Sequence, residues 1–286
     1  MRGHSNRPIV VGVDGSSTAD QALRWAASDD CRRGRDVIAL LAWSLLDQHR
    51  LDPEAGFDPG YSGKDALKAL DEIVARAVDT KTAASIQRHV VCDLAVRALV
   101  DGSVGASLLV MGARGAGGFP SLLLGSTSSR VLEKVGAPVA LVRSDATAVS
   151  QIIVGVDGSD TGSVALEWAV QEAQARNCRI VAIHAWTAPA LVRRVFLDDA
   201  PIFKELAGFA ADALDAALWA VDVKDVDVER RLVQGNAAGA LLDGASEDSL
   251  LVVGSRGLSA AAGAVLGSVT RQVAQHATCP LVVVPR

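Results

Sequence analysis

The feature that most constrains this chain is a pair of motifs that occurs twice in the same order. VGVDGS occupies Val11–Ser16 and recurs letter for letter at Val154–Ser159. Each copy is followed by the pattern GxxGx9GS, which begins at Gly112 and again at Gly254. The copies lie 143 residues apart at the first motif and 142 apart at the second. So long a period indicates a duplicated domain, because solenoid and propeller repeats span roughly 20 to 50 residues.

Apolar runs alternate with helical patterns in both copies, which predicts two α/β domains. The first copy has predicted strands at Ile9–Val13, Val37–Trp43, Ser85–Val91, Ser107–Met111 and Val139–Val142, and helices through Ala22–Ala27, Ala66–Val78, Leu94–Val104 and Ser126–Lys134. The second has strands at Ile152–Val156, Ile180–Trp186, Val226–Val233, Ser249–Val253 and Leu281–Val284, and helices at Ser163–Ala175, Pro201–Trp219, Ala238–Glu247 and Ser268–His276.

The predicted architecture is two tandem doubly wound domains, each an open five-stranded parallel sheet with helices on both faces. We place the first domain at residues 1–143, the linker at 144–151 and the second domain at 152–286. The least regular segments follow the second strand of each copy, at 44–63 and 187–200. The copies diverge most in these two segments.

The composition argues against several classes of binding partner. The net charge of −5 argues against nonspecific binding to nucleic acid or anionic membranes, since both depend on a basic surface. The four cysteines and five histidines form no metal-binding spacing, so we expect reduced thiols and no metal site built from them. The chain has no apolar run long enough for a membrane span and no signal-peptide pattern, which predicts a cytoplasmic protein.

The glycine pattern suits a phosphate site. A glycine-rich turn after a buried strand brings several backbone N–H groups to one point. We expect a left-handed conformation at Gly125 and Gly267. Gly125-Ser126 and Gly267-Ser268 then open helices, whose N-termini favour anions. In an open parallel sheet the loops after strands one and four meet in one crevice.

Several side chains have two competing roles. Asp14 and Asp157 are either helix N-caps or carboxylates that contact a ribose or a phosphate-bound metal. Arg114 and Arg256 either neutralise phosphate or lie solvated on exposed turns. The hydroxyls of Ser128 and Thr270 bind phosphate, or are exposed or bonded within their helices.

Motifs for other phosphate chemistries do not occur. The sequence has no GxxxxGK[ST] and no GxGxxG after its opening strand, which excludes the P-loop and the dinucleotide fingerprint. The motif segments also hold no nucleophile elbow and no lysine beside the Gly-Ser pair. We therefore expect a phosphate-binding protein with at most weak hydrolytic activity.

The ordered motifs, with GAPVALV and ATCPLVVV near the domain ends, resemble the universal stress protein family in its tandem form, over about residues 8–143 and 151–286. The resemblance implies strand order 3-2-1-4-5, ATP between strands one and four, and pairing of the domains through their fifth strands as an intramolecular pseudo-dimer. The predicted nucleotide-binding residues are Gly12, Asp14, Gly112, Ala113, Arg114, Gly115, Gly125, Ser126 and Ser128 in the first copy, and Gly155, Asp157, Gly254, Ser255, Arg256, Gly257, Gly267, Ser268 and Thr270 in the second.

The copies depart from the family pattern in different places. Family members commonly have glycine near the end of strand three, where the second copy has Gly235 and the first has Asp93. The nine-residue spacer of the first copy contains Gly117, Gly118 and Pro120, whereas that of the second is LSAAAGAVL. Two sites of different affinity follow from these departures.

The resulting hypothesis is a stress or dormancy regulator that binds ATP with Mg²⁺ and acts on an unidentified regulatory protein. The alternatives are a weak ATPase or phosphotransfer enzyme, and a sensor of another adenine nucleotide such as cyclic AMP. Association of two tandem chains into a homodimer stays open.

Overall fold

A computed structural model of the chain describes residues 7–28, 34–44, 58–115, 124–144, 148–195, 200–223, 225–257 and 266–286. The chain divides into two compact units, Met1–Ala148 with Thr278–Val282, and Val149–Ala277 with Val283–Arg286. The predicted linker contains residues 145–147, which lie outside the described residues. Its last residue, Gln151, already belongs to a strand.

The described part of the first half alternates strands and helices. In chain order its elements are β1 (Ile9–Val13), α1 (Ser17–Ala27), β2 (Val37–Trp43), α2 (Gly63–Ala77), α3 (Thr80–Ser85), β3 (Ile86–Cys92), α4 (Ala95–Gly102), β4 (Leu108–Gly112), α5 (Ser126–Lys134) and β5 (Val139–Val142). The strands lie in the order β3-β2-β1-β4-β5, which confirms the predicted 3-2-1-4-5. In the parallel register, Val11 of β1 lies beside Ala39 of β2 and Val110 of β4.

The second half repeats this sequence of elements. They are β6 (Gln151–Gly155), α6 (Asp160–Arg176), β7 (Arg179–Trp186), α7 (Ala190–Val195), α8 (Pro201–Trp219), β8 (Val228–Gln234), α9 (Ala237–Gly244), β9 (Ser249–Gly254), α10 (Ser268–His276) and β10 (Leu281–Val284). The first strand of this half, β6, pairs in parallel with β7 and β9, and β7 pairs with β8. The carboxyl end of β10 reaches the residue after β9, since Ser255 N–H donates to Val284 O at 2.8 Å.

Burial explains why the central strands read as unbroken apolar runs. All five residues of β1 and all five of β4 are buried, as expected of parallel strands covered on both faces. The edge strand β3 is only partly buried, and its sequence IQRHVVC mixes polar and apolar residues accordingly. The helix α2 buries one stripe at helical spacing, comprising Ala66, Leu70, Ile73, Val74 and Ala77.

The structure corrects the predicted elements in two ways. The start of α1 lies at Ser17 rather than Ala22, and the other differing ends shift by one to three residues. Seven elements are reproduced as predicted, namely Ile9–Val13, Val37–Trp43, Ser126–Lys134, Val139–Val142, Pro201–Trp219, Ser268–His276 and Leu281–Val284. Two short helices, α3 and α7, were not predicted, and α7 lies in a segment expected to be irregular. Each has six residues, too few to show a helical period in the sequence.

Candidate functional site

The first turn of the candidate site follows β1. Ser16 donates to Asp14 Oδ1 from its backbone N–H at 3.1 Å and from its hydroxyl at 2.6 Å. Gly15, between them, has φ +80°, a conformation that favours glycine. Ser16 is also the N-cap of α1, because its Oγ accepts from Ala19 N–H at 3.2 Å. The alternative in which Asp14 is the N-cap is therefore wrong.

The turns after β1 and β4 meet at the carboxyl edge of the sheet. An added Cβ at Gly115 would lie only 2.5 Å from Asp14 Oδ2, so the carboxylate lies directly against this glycine. The hydroxyl of Thr18 donates to Arg114 O at 2.6 Å and joins the two turns by a second contact. The structure thus brings the first motif and the glycine turn together, as expected at a switch point of strand order.

The glycine at position 112 of this turn leaves no room for a side chain. A Cβ at Gly112 would lie 2.9 Å from Arg114 O and from the backbone carbon of Thr18. Gly125 has φ −72°, and the glycines of the described chain with left-handed φ lie elsewhere, at Gly15, Gly34, Gly105, Gly158 and Gly235. The expected left-handed conformation of the loop glycines is therefore wrong. Close backbone packing is what a side chain would disturb.

The second half builds the same arrangement. Asp157 Oδ1 accepts from Ser159 N–H at 3.0 Å and from its hydroxyl at 2.6 Å, and Ser159 is the N-cap of α6. Asp157 Oδ2 lies against Gly257, where a Cβ would collide with it. A Cβ at Gly254 would lie 2.9 Å from Thr161 O. Asp157 as N-cap is wrong for the same reason as in the first half.

These turns form one wall of a crevice in the second half. The crevice has about 660 Å³ of empty volume, which includes space open to solvent. Its lining combines the two turns, the start of α10 and apolar residues of β7 and α9. The lining residues are Gly155, Val156, Asp157, Gly162, Ile183, Ala185, Ala237, Leu241, Val253, Gly254, Arg256, Gly257, Gly267, Ser268, Val269 and Thr270.

The Gly-Ser pairs begin the helices that follow the glycine turns. Gly125 is the N-cap residue of α5, and Gly267 is that of α10. The next residues, Ser126 and Ser268, are exposed. The first N–H groups of a helix have no partner within the helix, so both helix starts present donors and a positive dipole end at the carboxyl edge of the sheet.

Ala113 and Ser255 have a structural role in their turns. Their N–H groups donate to the carbonyls of Val142 and Val284, at 3.0 and 2.8 Å. Ala113 is 1% exposed and Ser255 is 7% exposed. Their N–H groups are thus engaged in extending the pairing of the fifth strands, and the predicted ligand contact through these donors loses its basis.

Ser128 and Thr270 tie each helix to its glycine turn. The Ser128 hydroxyl donates to Gly112 O at 3.0 Å, and the Thr270 hydroxyl donates to Gly254 O at 2.7 Å. Both side chains are buried, so neither hydroxyl is exposed or bonded within its own helix. This geometry favours a structural role over phosphate binding, although Thr270 still lines the crevice.

Arginines give the two sites different charge. Arg256 lines the second crevice, and Arg114 lies on the exposed equivalent turn of the first half. Arg143 directly follows β5, where the second half has Pro285. Burial, and then the nearby positive charge of Arg114, lower the pKa of Arg143 to about 10, so its guanidinium stays charged at neutral pH. The first half therefore adds a second cation next to its glycine turn.

Gly12 and Gly155 let a helix approach the first strand of each half. A Cβ at Gly12 would lie 2.6 Å from Leu99 Cδ2 of α4, and one at Gly155 would lie 3.1 Å from Leu241 Cδ1 of α9. Both glycines thus allow a leucine to pack over the strand. Gly155 and Leu241 also line the second crevice, so this packing forms part of its apolar floor.

The chain matches the model of the universal stress protein family twice, over residues 5–143 and 149–285. The chain belongs to the universal stress protein family. A universal stress protein of Mycobacterium tuberculosis (strain H37Rv) is 32% identical over 296 residues, covering 98% of this chain and 97% of its own. One from Mycolicibacterium smegmatis is 31% identical over 289 residues and covers 96% of both chains.

Solved universal stress proteins share the fold. One from Archaeoglobus fulgidus has a TM-score of 0.66 at 19% identity and covers 99% of this chain and 98% of its own. A universal stress protein solved in complex with cAMP is 33% identical across 48% of this chain and 97% of its own, with a TM-score of 0.32. That ligand belongs to the other protein.

The two halves of this universal stress protein differ at the end of the third strand. In the first half, Asp93 Oδ1 accepts from Leu94 N–H at 2.7 Å, and its other oxygen pairs with Arg97 at 3.3 Å. In the second half, Gly235 takes φ +150° and Asn236 caps α9. The backbone conformation and the charge at this position therefore differ between the two halves, as predicted. The spacer residues Gly117, Gly118 and Pro120, and most of LSAAAGAVL, lie outside the described residues.

Some classes of feature are missing from the part of this universal stress protein that the structure describes. None of its helices is long and apolar enough to cross a membrane. Its described histidines, cysteines, aspartates and glutamates form no group of three that could hold a metal ion. Cys92 is an exposed free thiol.

Three residues near the site were not predicted. Thr18 and Thr161 follow VGVDGS in both copies, and their shared position in the duplicated sequence was the available signal. Arg143 could have been found from its place at the carboxyl end of the last strand, where ligands of such sheets bind. The second half offers no matching arginine there, so the duplication did not reveal it.

Proposed function

We propose that this protein is an ATP-binding regulator of stress response or dormancy with one nucleotide crevice in each half. The observation that carries the proposal is the repeated contact between the aspartate after the first strand and a glycine of the turn after the fourth. That contact occurs at Asp14 with Gly115 and at Asp157 with Gly257. The family membership of the chain supports the same function.

The parts of each crevice suit different ends of a nucleotide. The starts of α5 and α10 supply N–H donors and a positive dipole end for phosphate, and Arg114 or Arg256 adds a charged donor. In the second crevice, the apolar residues Ile183, Ala185 and Leu241 form a surface that suits a base. The carboxylates of Asp14 and Asp157 can accept from ribose hydroxyls.

Mg²⁺ fits this scheme as a companion of the phosphates. Magnesium in nucleotide sites is held by one or two carboxylates together with phosphate oxygens and water. Asp14 in the first crevice, or Asp157 in the second, would be the protein ligand. The bound cation would screen phosphate charge.

We infer binding with at most weak hydrolysis, because the described lining of the second crevice holds no histidine, lysine or glutamate, and its carboxylate Asp157 already accepts from Ser159. A weak ATPase or phosphotransfer enzyme remains the alternative, and it predicts steady phosphate release that Asp14→Asn or Gly112→Ala abolishes. A cyclic AMP sensor is the other alternative. Competition between ATP and cyclic AMP for the purified protein separates that case.

The deciding experiment identifies the bound molecule. The full chain is purified without added nucleotide and denatured, and the released small molecules are identified by mass spectrometry, with ATP titrated calorimetrically in parallel. We expect ATP in the extract or direct binding in the titration. Absence of both results would refute the proposal.

Further parts of the proposal concern assembly and location. We propose that the two domains pair through β5 and β10 as an intramolecular pseudo-dimer and that the protein acts in the cytoplasm on a regulatory protein partner. Sedimentation of the full chain with and without ATP tests whether two chains also form a homodimer. A single species at the monomer mass in both states would contradict the homodimer.

A further inference from the structure

Arg76 connects α2 to the turn that carries Asp14. It lies in the last turn of α2, and its side chain crosses to α1 in the first half. Nε donates to Asp20 Oδ2 at 2.9 Å and Nη2 donates to Asp20 Oδ1 at 2.9 Å. The same Nη2 donates to Gly15 O at 3.2 Å. One guanidinium therefore contacts both the first helix and the turn before it.

The pair of hydrogen bonds between the Arg76 guanidinium and the Asp20 carboxylate, here called the fork, holds both groups in a fixed orientation. Asp20 is 8% exposed, so its carboxylate requires a partner in the fold. Two parallel N–H···O bonds fix the plane of the guanidinium more firmly than a single contact does. The hydrogen bonds that Arg76 donates to Asp20 raise the pKa of Arg76, so its guanidinium stays charged.

Arg76 donates to the carbonyl of a peptide group whose N–H binds the Asp14 carboxylate. The carbonyl of Gly15 and the N–H of Ser16 belong to one planar peptide unit. Arg76 binds its oxygen, and Asp14 Oδ1 accepts from its N–H at 3.1 Å. Rotation of this peptide would break both bonds together. The orientation of the Asp14 carboxylate therefore depends on Arg76.

The second half has no equivalent pair in its sequence. Ser163 stands at the position that corresponds to Asp20, 143 residues further on. Its hydroxyl donates to Ser159 O at 3.2 Å, within its own helix. The last turn of α8, which corresponds to the turn of α2 that carries Arg76, contains no basic residue. Only the first half can thus hold its turn from the neighbouring helix in this way.

We propose that Arg76 is a positioning residue for the first crevice and couples ligand binding there to the packing of α2 against α1. The inference rests on the proposed function in one respect, since the ligand is taken to be an adenine nucleotide. Coupling is reciprocal, so a ligand that needs Asp14 in its present orientation also stabilises the docked position of α2. The segment that leads into α2 from β2 is the one in which the halves diverge most. Occupancy of the first site is therefore expected to affect the packing of α2.

The test measures ATP affinity of the full chain in a background that isolates the first crevice. Gly257→Ala disables the second crevice, because its Cβ would collide with Asp157 Oδ2. In this background Arg76→Gln should lower calorimetric ATP affinity by about tenfold, within the usual range of coupling energies. Arg76→Lys keeps the cation and loses the fork, and it should restore part of the affinity.

Arg24→Gln is the matched control. Arg24 Nη1 also joins α1 to α2, donating to Ala77 O at 3.4 Å. We expect this variant to bind ATP as the parent does, even if its melting temperature falls as much as that of Arg76→Gln. A second control places Arg76→Gln in the Gly115→Ala background, where affinity at the second crevice should not change. Equal losses in Arg76→Gln and Arg24→Gln, or no loss in either, would overturn the inference.

Hydrogen exchange supplies a readout that does not need ATP. The Ser16 amide should exchange faster in Arg76→Gln than in Arg24→Gln, because its acceptor Asp14 is no longer held. ATP should slow exchange across residues 63–77 in the parent and fail to do so in Arg76→Gln. If the parent binds no nucleotide, the proposed function fails. The Ser16 result then still decides whether Arg76 positions the turn, and unchanged exchange would reject it.

Discussion

At the scale of single residues, the loop glycines are defined by the atoms that crowd them. Gly115 and Gly257 each lie against a carboxylate oxygen, while Gly112 and Gly254 lie against backbone atoms of the first helix. The repeated spacing of the glycines therefore reflects where the two turns pack closely together. This distinguishes the site from phosphate loops whose glycines are needed for left-handed backbone.

Gly115→Ala should weaken ATP binding at the first crevice by at least about tenfold, because the new Cβ displaces Asp14 Oδ2, which a positioned carboxylate contact does not tolerate. Calorimetric titration of the full chain measures the loss. Gly136→Ala is the control, since nothing lies within 4 Å of a Cβ at that position. Unchanged affinity in Gly115→Ala would show that the aspartate does not contact the ligand.

Arg143→Met should have opposite effects on stability and on binding. Removing a half-buried cation beside Arg114 relieves repulsion, so the melting temperature should stay constant or rise. ATP affinity at the first crevice should fall, by about 1 kcal/mol for a partly exposed charge interaction. AMP, which carries fewer charges, should lose less. Equal losses for ATP and AMP would contradict a phosphate-directed role.

At the scale of secondary-structure elements, each first helix begins on a serine that also holds the site aspartate. Ser16 and Ser159 are the N-caps of α1 and α6 and donate to Asp14 and Asp157. The same serine therefore starts the helix and positions the carboxylate. The residues Asp, Gly and Ser at the end of VGVDGS form this turn.

Ser16→Ala and Ser159→Ala should each lower the free energy of unfolding by about 1 kcal/mol, the usual cost of a lost N-cap. Urea denaturation measures the change. Ser17→Ala is the control, since Ser17 is exposed at the first position of α1. An equal effect of Ser17→Ala would mean that capping is not the cause.

The sequence predicted the elements that bury a long regular face and missed those that do not. The buried runs of β1 and β4 and the duplicated motifs predicted the fold, the strand order through the family resemblance, and the meeting of the two turns in each half. The short helices α3 and α7 have no period to detect, although the bond from Lys81 N–H to Asp79 Oδ1 now explains where α3 starts. Arg76 and Asp20 are 56 positions apart in the sequence, so no local pattern predicts their contact.

At the scale of the whole molecule, duplication leaves two sites that share a backbone plan and differ in charge. The first adds Arg143 and Asp93, and the second has Pro285 and Gly235 at the matching positions. Identical turns therefore stand in different electrostatic surroundings. Two sites of unequal affinity are the expected result.

Titration of the full chain should show two ATP molecules per chain with separate affinities. Gly115→Ala and Gly257→Ala should each remove one site and leave the other, and the double variant should bind none. Native mass spectrometry counts the ligands directly. Loss of both sites in one single variant would show that the crevices do not bind independently.

The two oxygens of each site aspartate perform different tasks. Oδ1 accepts two bonds from the capping serine, and Oδ2 lies against the glycine of the facing turn. An asparagine could keep one of these faces but would present an amino group at the other. Substitution of Asp14 or Asp157 should therefore disturb the start of the first helix as well as ligand binding, so a half without a ligand still needs its aspartate.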